Sequence, residues 1–347
     1  MPVPLTPEEA ADTPGAHLDL LNTVGFHAAG TAQRLGVFEA LAHGPLAAAD
    51  LASRLDLDPV GTRVLCDTLV AFGYLNRAVD AYANSPDATR WLLRDGSDSY
   101  APVLAFWHAV LTEQWGGLAD SLRRGKPDGD FYAWLDSRPD TLADFHTMLR
   151  RLAGWLAAEV IPRVPVPAGP ASLLDLGGGH AAYPVALCAA YPELRARVVD
   201  LAGALEQGRA TVAAAGLADR VELCPGDLFT ADLGAGHDVA LLFNIVHGYR
   251  PAEVATLLSR VAAALRPGGR LLLLEPLADV ERSPGPGEAF VRAFSLNLFH
   301  TQDGRVYGYA ELTNLLTDAG FTSVDQHVLE RSPTDHLVTA IRGGGGR

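Results

Sequence analysis

The sequence predicts an α/β protein, a doubly wound and mostly parallel sheet preceded by an N-terminal helical domain. Three observations lead there. From Ala171 onward, apolar strand-like runs alternate with helical stretches, as in stacked βαβ units. The first run, Leu173-Leu174-Asp175-Leu176, leads directly into Gly177-Gly178-Gly179-His180, and the next ends in Val198-Val199-Asp200. The last two runs are separated only by the polar turn Arg331-Ser332-Pro333-Thr334-Asp335, so they must pair antiparallel.

The chain has 347 residues, which suggests about two domains. It is 48% hydrophobic and 20% charged, an ordinary composition for a packed protein without membrane spans, and no uncharged apolar run reaches about 18 residues. Met1-Pro2-Val3-Pro4-Leu5-Thr6-Pro7-Glu8-Glu9 lacks a basic region and an apolar segment, so export is not expected and a cytoplasmic location is. Cys66, Cys188 and Cys224 lie in apolar or strand-like surroundings. They read as small core residues of a reducing compartment, not as a disulfide or zinc set. The net charge of −14 argues against a nucleic-acid partner, and Lys126 is the only lysine.

Residues 1–105 read as a winged-helix-like domain. One helix ends with Leu35-Gly36-Val37-Phe38-Glu39-Ala40-Leu41 before Gly44-Pro45, and Ala48–Leu55 forms a second. Asp58 caps a third helix whose first turn holds Pro59 and whose apolar spacing runs from Val60 to Tyr74. Arg77–Asn84 alternates like a small hairpin. Residues 1–100 hold six basic and thirteen acidic side chains, a balance of 6 − 13 = −7. That sign suits packing or dimerisation and not DNA reading. Residues 106–170 are helical and rich in aromatic side chains, including Trp107, Phe131, Tyr132, Phe145 and Trp155, and close on the proline-rich seam Pro162–Pro170. In residues 171–347 strands are expected at 171–176, 196–201, 220–224, 238–244, 269–275, 321–329 and 336–342. Helices are expected at 181–191, 203–215, 251–265 and 308–319, the last stopped by Ala319-Gly320. Gly343-Gly344-Gly345-Gly346 reads as a flexible tail.

The candidate chemistry collects at strand ends, where open α/β sheets bind ligands. Gly177, Gly178 and Gly179 let backbone approach a nucleoside-bearing cofactor, with Asp175 beside them as an anchor. Asp200 follows 25 residues later, near the spacing of a ribose-binding acid. Asp227 and Leu228, in Pro225-Gly226-Asp227-Leu228-Phe229, suit an adenine amino group and its ring. Leu201 and Asn244 complete the cofactor candidates. His247 leaves the strand 238–244 and is the side chain whose unperturbed pKa suits proton transfer near neutrality. Glu275 closes Leu271-Leu272-Leu273-Leu274 at the same edge and suits holding one imidazole nitrogen.

A parallel sheet finished by a hairpin is common in methyltransferases and uncommon in dehydrogenases, which favours S-adenosyl-L-methionine over NAD as the cofactor. With these residues in place, the chain resembles the plant-type small-molecule O-methyltransferases, and more closely their bacterial relatives in polyketide and antibiotic tailoring. The resemblance implies a Rossmann-like methyltransferase sheet with its last strand antiparallel, and an N-terminal domain that forms a homodimer and contributes to the partner's acceptor pocket. It implies a general base at His247, in an Asn244-Ile245-Val246-His247 context, and an orienting glutamate 28 residues on, at Glu275. Phe145 and Met148 resemble the family's cofactor- and acceptor-lining pair, and Trp107, Phe294 and Asn297 extend the expected pocket wall. The implied reaction is methyl transfer to a hydroxyl of an aromatic or polyketide-derived molecule, without a metal. The alternative is a non-methylating tailoring step (hydroxylation, decarboxylation or a pericyclic reaction) on the same fold and cofactor. The chain departs from the family pattern at Ala181, in place of a turn glycine, and at His180. Gly248-Tyr249 replaces Asp-Trp, and Val306 stands where a second glutamate would fall.

Overall fold

A computed structural model of the chain describes residues 14–96, 98–280 and 285–344. The Met1–Glu9 segment and Gly345-Gly346 of the expected tail lie outside the described residues. The chain divides into two compact units, one holding the residues up to Gly116 with Arg138–Met148, the other Gly117–Ser137 with the residues from Leu149 onward.

The first unit opens with α1 (Gly15–Leu35) and α2 (Val37–Ala40). The sequence reads as one helix through Leu41, but Gly36 takes a left-handed φ of 78° and divides it. After β1 (Leu46–Ala47) come α3 (Ala48–Leu55) and α4 (Pro59–Ala71). Asp58 caps α4, accepting the Gly61 N–H at 2.7 Å. The expected hairpin is β2 (Leu75–Ala78) with β3 (Ala81–Asn84), and β1 adds a third strand against β3. Helices α5 (Pro86–Trp91) and α6 (Ala101–Glu113) follow. Phe38, Leu51, Leu69 and Tyr82 form the buried centre of this unit. The Arg94 guanidinium grips Asp144 through two bonds of 2.6 and 3.3 Å, joining residues fifty apart in sequence.

The second unit takes α7 (Leu118–Arg124), α8 (Phe131–Asp136) and the later part of α9 (Pro139–Val160). The alternating elements follow: β4 (Ala171–Leu176), α10 (Ala182–Ala190), β5 (Leu194–Asp200), α11 (Leu205–Ala214), β6 (Val221–Pro225) and β7 (His237–Phe243). Then come α12 (Pro251–Ala264), β8 (Leu265–Pro276), α13 (Pro286–Gln302), α14 (Tyr309–Asp318), β9 (Phe321–Val328) and β10 (Asp335–Arg342). The sheet order is β6-β5-β4-β7-β8-β10-β9. Neighbours from β6 to β8 run parallel, and β10 is antiparallel to both β8 and β9.

Alternation builds the two covered faces. Leu173, Val198, Leu241, Leu272 and Leu274 join one buried cluster, while Leu174, Val199, Leu242, Leu271 and Leu273 join the other. Both faces of these strands are dry, which explains their near-continuous apolar runs. Helix α13 is a departure, because the sequence names no helix between Glu275 and residue 308. Its buried positions include Asn297, His300 and Thr301 beside Val291 and Leu298, so polar residues interrupt the apolar stripe that would announce it. Gly343, expected in the tail, donates its N–H to the Gly320 carbonyl at 3.0 Å.

Leu272 is fully buried on β8 between β7 and β10. Replacing it with alanine should cost about 2–5 kcal/mol of stability, read as a lower urea midpoint with an unchanged slope.

Candidate functional site

The carboxyl-terminal ends of β4, β5, β7 and β8 define one edge of the sheet, and the candidate residues gather along it. Parallel pairing sets Phe243 beside Leu274, so the turn after β7 emerges next to Glu275. Asn244 makes that turn possible. It adopts a left-handed φ of 57°, a conformation asparagine tolerates better than most residues, and donates its N–H to the Leu274 carbonyl at 2.8 Å. The chain then winds a single tight turn over Val246–Gly248.

Glu275 is 1% exposed and fully engaged. One oxygen accepts the N–H groups of Ile245 and Val246 at 2.8 and 3.0 Å; the other meets His247 Nδ1 at 2.5 Å. A carboxylate that already accepts two backbone donors acts as acceptor toward the ring as well. Nδ1 therefore carries the hydrogen, and Nε2 presents its lone pair. The imidazole lies edge-on to Phe294 of α13, ring centres 5.2 Å apart, and Phe294 stacks on Phe290 at 5.7 Å. This arrangement can accept a proton at Nε2 and stabilise the resulting imidazolium through Glu275.

Beside it lies the glycine turn. Gly177 has a left-handed φ of 72°, and its N–H donates to Val199 O at 2.9 Å. A Cβ at residue 178 would lie 1.9 Å from Asp175 Oδ2, so any larger residue there would have to displace that carboxyl. The Gly179 N–H donates to Asp200 Oδ2 at 2.8 Å, and the Leu201 N–H to Oδ1 at 2.7 Å. Burial pushes the Asp200 carboxyl up to about 6, against the pull of those two bonds. Asp175 is 2% exposed, its Oδ2 has no hydrogen-bond partner, and burial with Asp200 nearby pushes the carboxyl up to about 8. Asp227 Oδ1 accepts from Phe229 N at 2.8 Å and so holds its own turn. Leu228 is buried in the core cluster beneath, whereas the Leu201 side chain is exposed.

The sheet edge thus brings together Asp175, the turn 177–179, Asp200, Asn244, His247 and Glu275, with Phe294 against the histidine. Asn297 is buried one helical turn beyond Phe294. Trp107, Phe145 and Met148 belong to the first unit, where the Phe145 ring lies 5.1 Å from Phe106. His180, unassigned in the sequence, accepts the Ala182 N–H on Nδ1 at 3.1 Å and faces Tyr183. Ala181 takes a left-handed φ of 55° at the start of α10, in place of a glycine.

Three features of the site escape sequence reading. The Arg305 N–H donates to the His247 carbonyl at 2.8 Å, and Gly304 packs so tightly on that oxygen that a Cβ would come within 2.0 Å. Arg250 bonds both oxygens of Asp303 at 2.6 Å and the Gly125 carbonyl at 2.9 Å. Tyr249 packs edge-on to Phe229, and burial with the Asp227 and Asp200 carboxylates pushes its phenol up to about 12, leaving a neutral O–H at that end of the site. Only the dipeptide Asp303-Gly304 after a polar stretch hinted at a tight turn there.

Residues 115–322 match the O-methyltransferase domain family, and residues 19–95 match the O-methyltransferase dimerisation domain. The chain therefore belongs to the O-methyltransferase family and is an enzyme of that class. It is 30% identical over 299 residues to the 3-hydroxy-5-methyl-1-naphthoate 3-O-methyltransferase of Streptomyces sahachiroi, covering 83% of this chain and 84% of that one. It is also 30% identical over 328 residues to the tetracenomycin polyketide synthesis 8-O-methyltransferase of Streptomyces glaucescens, covering 92% and 95%. A solved mitomycin 7-O-methyltransferase shares the fold with a TM-score of 0.86 at 25% identity, over 96% of this chain and 99% of that one. These relatives transfer methyl to oxygen, which does not favour the non-methylating alternative. Among the described residues no helix is long and apolar enough to cross a membrane, and no His, Cys, Asp and Glu cluster could hold a metal ion.

The site fits its cofactor. A cradle of glycine backbone with one buried acceptor left open, Asp175 Oδ2, suits a ligand that carries both a nucleoside and positive charge.

Gly304→Ala should push the His247 turn away from its place while leaving the cofactor residues intact. A displacement of about 1 Å costs on the order of 10²-fold in rate, so kcat should fall by about that factor with cofactor Kd unchanged in calorimetry.

Proposed function

We propose that this enzyme methylates a hydroxyl of an aromatic, polyketide-derived small molecule, with His247 as general base and Glu275 as its orienting partner. The observation that carries this reading is the buried Glu275 carboxylate, which spends one oxygen on two backbone N–H groups and the other on His247 Nδ1. That leaves Nε2 to take the acceptor's hydroxyl proton, raising the nucleophilicity of the oxygen as it attacks. Bound S-adenosylmethionine supplies an electrophilic methyl group. Asp175, Gly177, Gly178, Gly179, Asp200, Leu201, Asp227, Leu228 and Asn244 would hold it. Asp200, already fixed by two N–H donors, suits the ribose hydroxyls, and Asp227 suits the adenine amino group.

Phe294 and Asn297 on α13 make one wall of the acceptor pocket. The Phe290–Phe294 stack, lying within 6° of coplanar, favours a flat aromatic acceptor guided toward His247. The relatives named for a hydroxynaphthoate and for tetracenomycin polyketide synthesis support this acceptor class. The dimerisation domain and the exposed Leu20, Val24, Val60 and Val64 on α1 and α4 support a homodimer. The net charge of −14 supports the absence of a nucleic-acid partner.

A panel of hydroxylated aromatic polyketides with labelled S-adenosylmethionine tests the acceptor class; labelled methyl should appear on product oxygen with one S-adenosylhomocysteine per product. His247→Ala should lower methylation by about 10²–10⁴ with cofactor affinity retained, and wild-type turnover in that variant would refute the base assignment. Glu275→Gln offers an amide N–H₂ or its single acceptor to three donors. It should lower kcat comparably and also cost about 1–3 kcal/mol of stability by thermal unfolding.

A further inference from the structure

The Asp175 carboxyl is the least satisfied polar group of the site. It lies at the end of β4, 2% exposed, with Val198 of β5 and Leu241 of β7 as its lateral partners. The adjacent turn withholds its donors: Gly177 N–H goes to Val199 O and Gly179 N–H to Asp200 Oδ2. Asp175 Oδ2 is left without a partner, pressed against the α-carbon of Gly178. The titratable groups that face it are Asp200 across β5 and the Tyr183 phenol on α10, both acids. His180, in the same turn, directs its ring to Tyr183 at 6.3 Å and its Nδ1 to the Ala182 N–H.

An ionised carboxyl in this place has no donor at Oδ2, and the titratable groups beside it are acids. Removal from water and the second carboxylate both favour the protonated form, and they push the group up to about 8. Asp200 differs because two N–H groups hold its oxygens, so the two acids of one edge separate into an ionised and a neutral member near neutral pH.

We infer that Asp175 carries its proton while the cofactor site is empty and releases it to solvent when a cationic ligand such as S-adenosylmethionine seats. The inference rests on residues 175–179 being the cofactor's seat. The bond broken is the O–H of Asp175, the proton passes to buffer, and no electrons change hands. An opposite charge within about 4–6 Å lowers a carboxyl pKa by about one to three, enough to ionise this group near neutrality.

Titration calorimetry near neutral pH, in two buffers of different ionisation enthalpy, reads the proton directly. Wild-type enzyme should release a substantial fraction of one proton per S-adenosylmethionine bound. Affinity for S-adenosylmethionine should rise with pH and level off near 8. Below that point the carboxyl must first lose its proton, so affinity falls by up to about tenfold per pH unit. Asp175→Asn, nearly isosteric and without a titratable proton, should bind with buffer-independent heat and a flat pH profile over the same range. Buffer-independent heat in the wild-type enzyme, with normal binding, would overturn the inference and leave the cofactor seat standing. Absence of S-adenosylmethionine binding to the wild type would overturn the seat itself. The wild-type buffer comparison needs no variant, so it decides the matter even if Asp175→Asn does not fold.

Discussion

A carboxylate taken out of water has to find donors, and at Glu275 those donors come from the turn that carries His247. This constraint orders the site. Glu275 lies at the end of a strand buried on both faces, so its oxygens cannot turn to solvent. The parallel register of β7 with β8 brings Ile245, Val246 and His247 within reach, and all three donate to it. The imidazole is consequently held by burial and hydrogen bonding on one nitrogen and left open on the other. The left-handed Asn244 and the close seat of Gly304 on the His247 carbonyl serve the same end, closing the turn onto Glu275 from both sides.

The edge of the sheet divides its acids by how well they are satisfied. Glu275 has three donors and Asp200 two, whereas Asp175, one strand from Asp200, has an oxygen with none. Satisfied carboxylates orient what they touch. An unsatisfied one stores an unfavourable interaction that a positively charged ligand relieves. The same edge thus supplies fixed acceptors for hydroxyl and imidazole groups together with a charge-sensitive acceptor, using one residue type in three environments.

Fixing the rest of the base's surroundings falls to α13. Phe294 sets the edge of the imidazole, Asp303 closes the helix with a left-handed φ of 64° and pairs with Arg250, and Gly304 and Arg305 meet the His247 backbone. The Arg250–Asp303 pair is half-exposed and contributes little energy alone. Its bidentate geometry, with the added bond to the Gly125 carbonyl, nevertheless ties the base-bearing loop to α7 and α13 at a single point.

What the sequence determined by itself are the features written into short stretches of chain. Strand runs buried on both sides announce themselves as Leu271–Leu274, the turn as three glycines after Asp175, and the α4 cap as Asp58-Pro59. The acids at strand ends are legible because the two-residue period and the sheet's polarity place them at one edge. The pairing of His247 with Glu275 was legible through family resemblance and the strand ends on which the two residues sit. Tertiary structure alone decided that α13 exists, because its inward face carries Asn297, His300 and Thr301 where an apolar stripe would signal a helix. It alone decided that Gly304 must be small, since the oxygen it presses against belongs to a residue 57 positions earlier. It also decided that Asp175 lacks a partner, because the donors beside it in sequence are drawn to Val199 and Asp200 on the neighbouring strand. Local pattern reports which backbone a segment prefers; which hydrogen bonds remain unmade depends on every segment that arrives there.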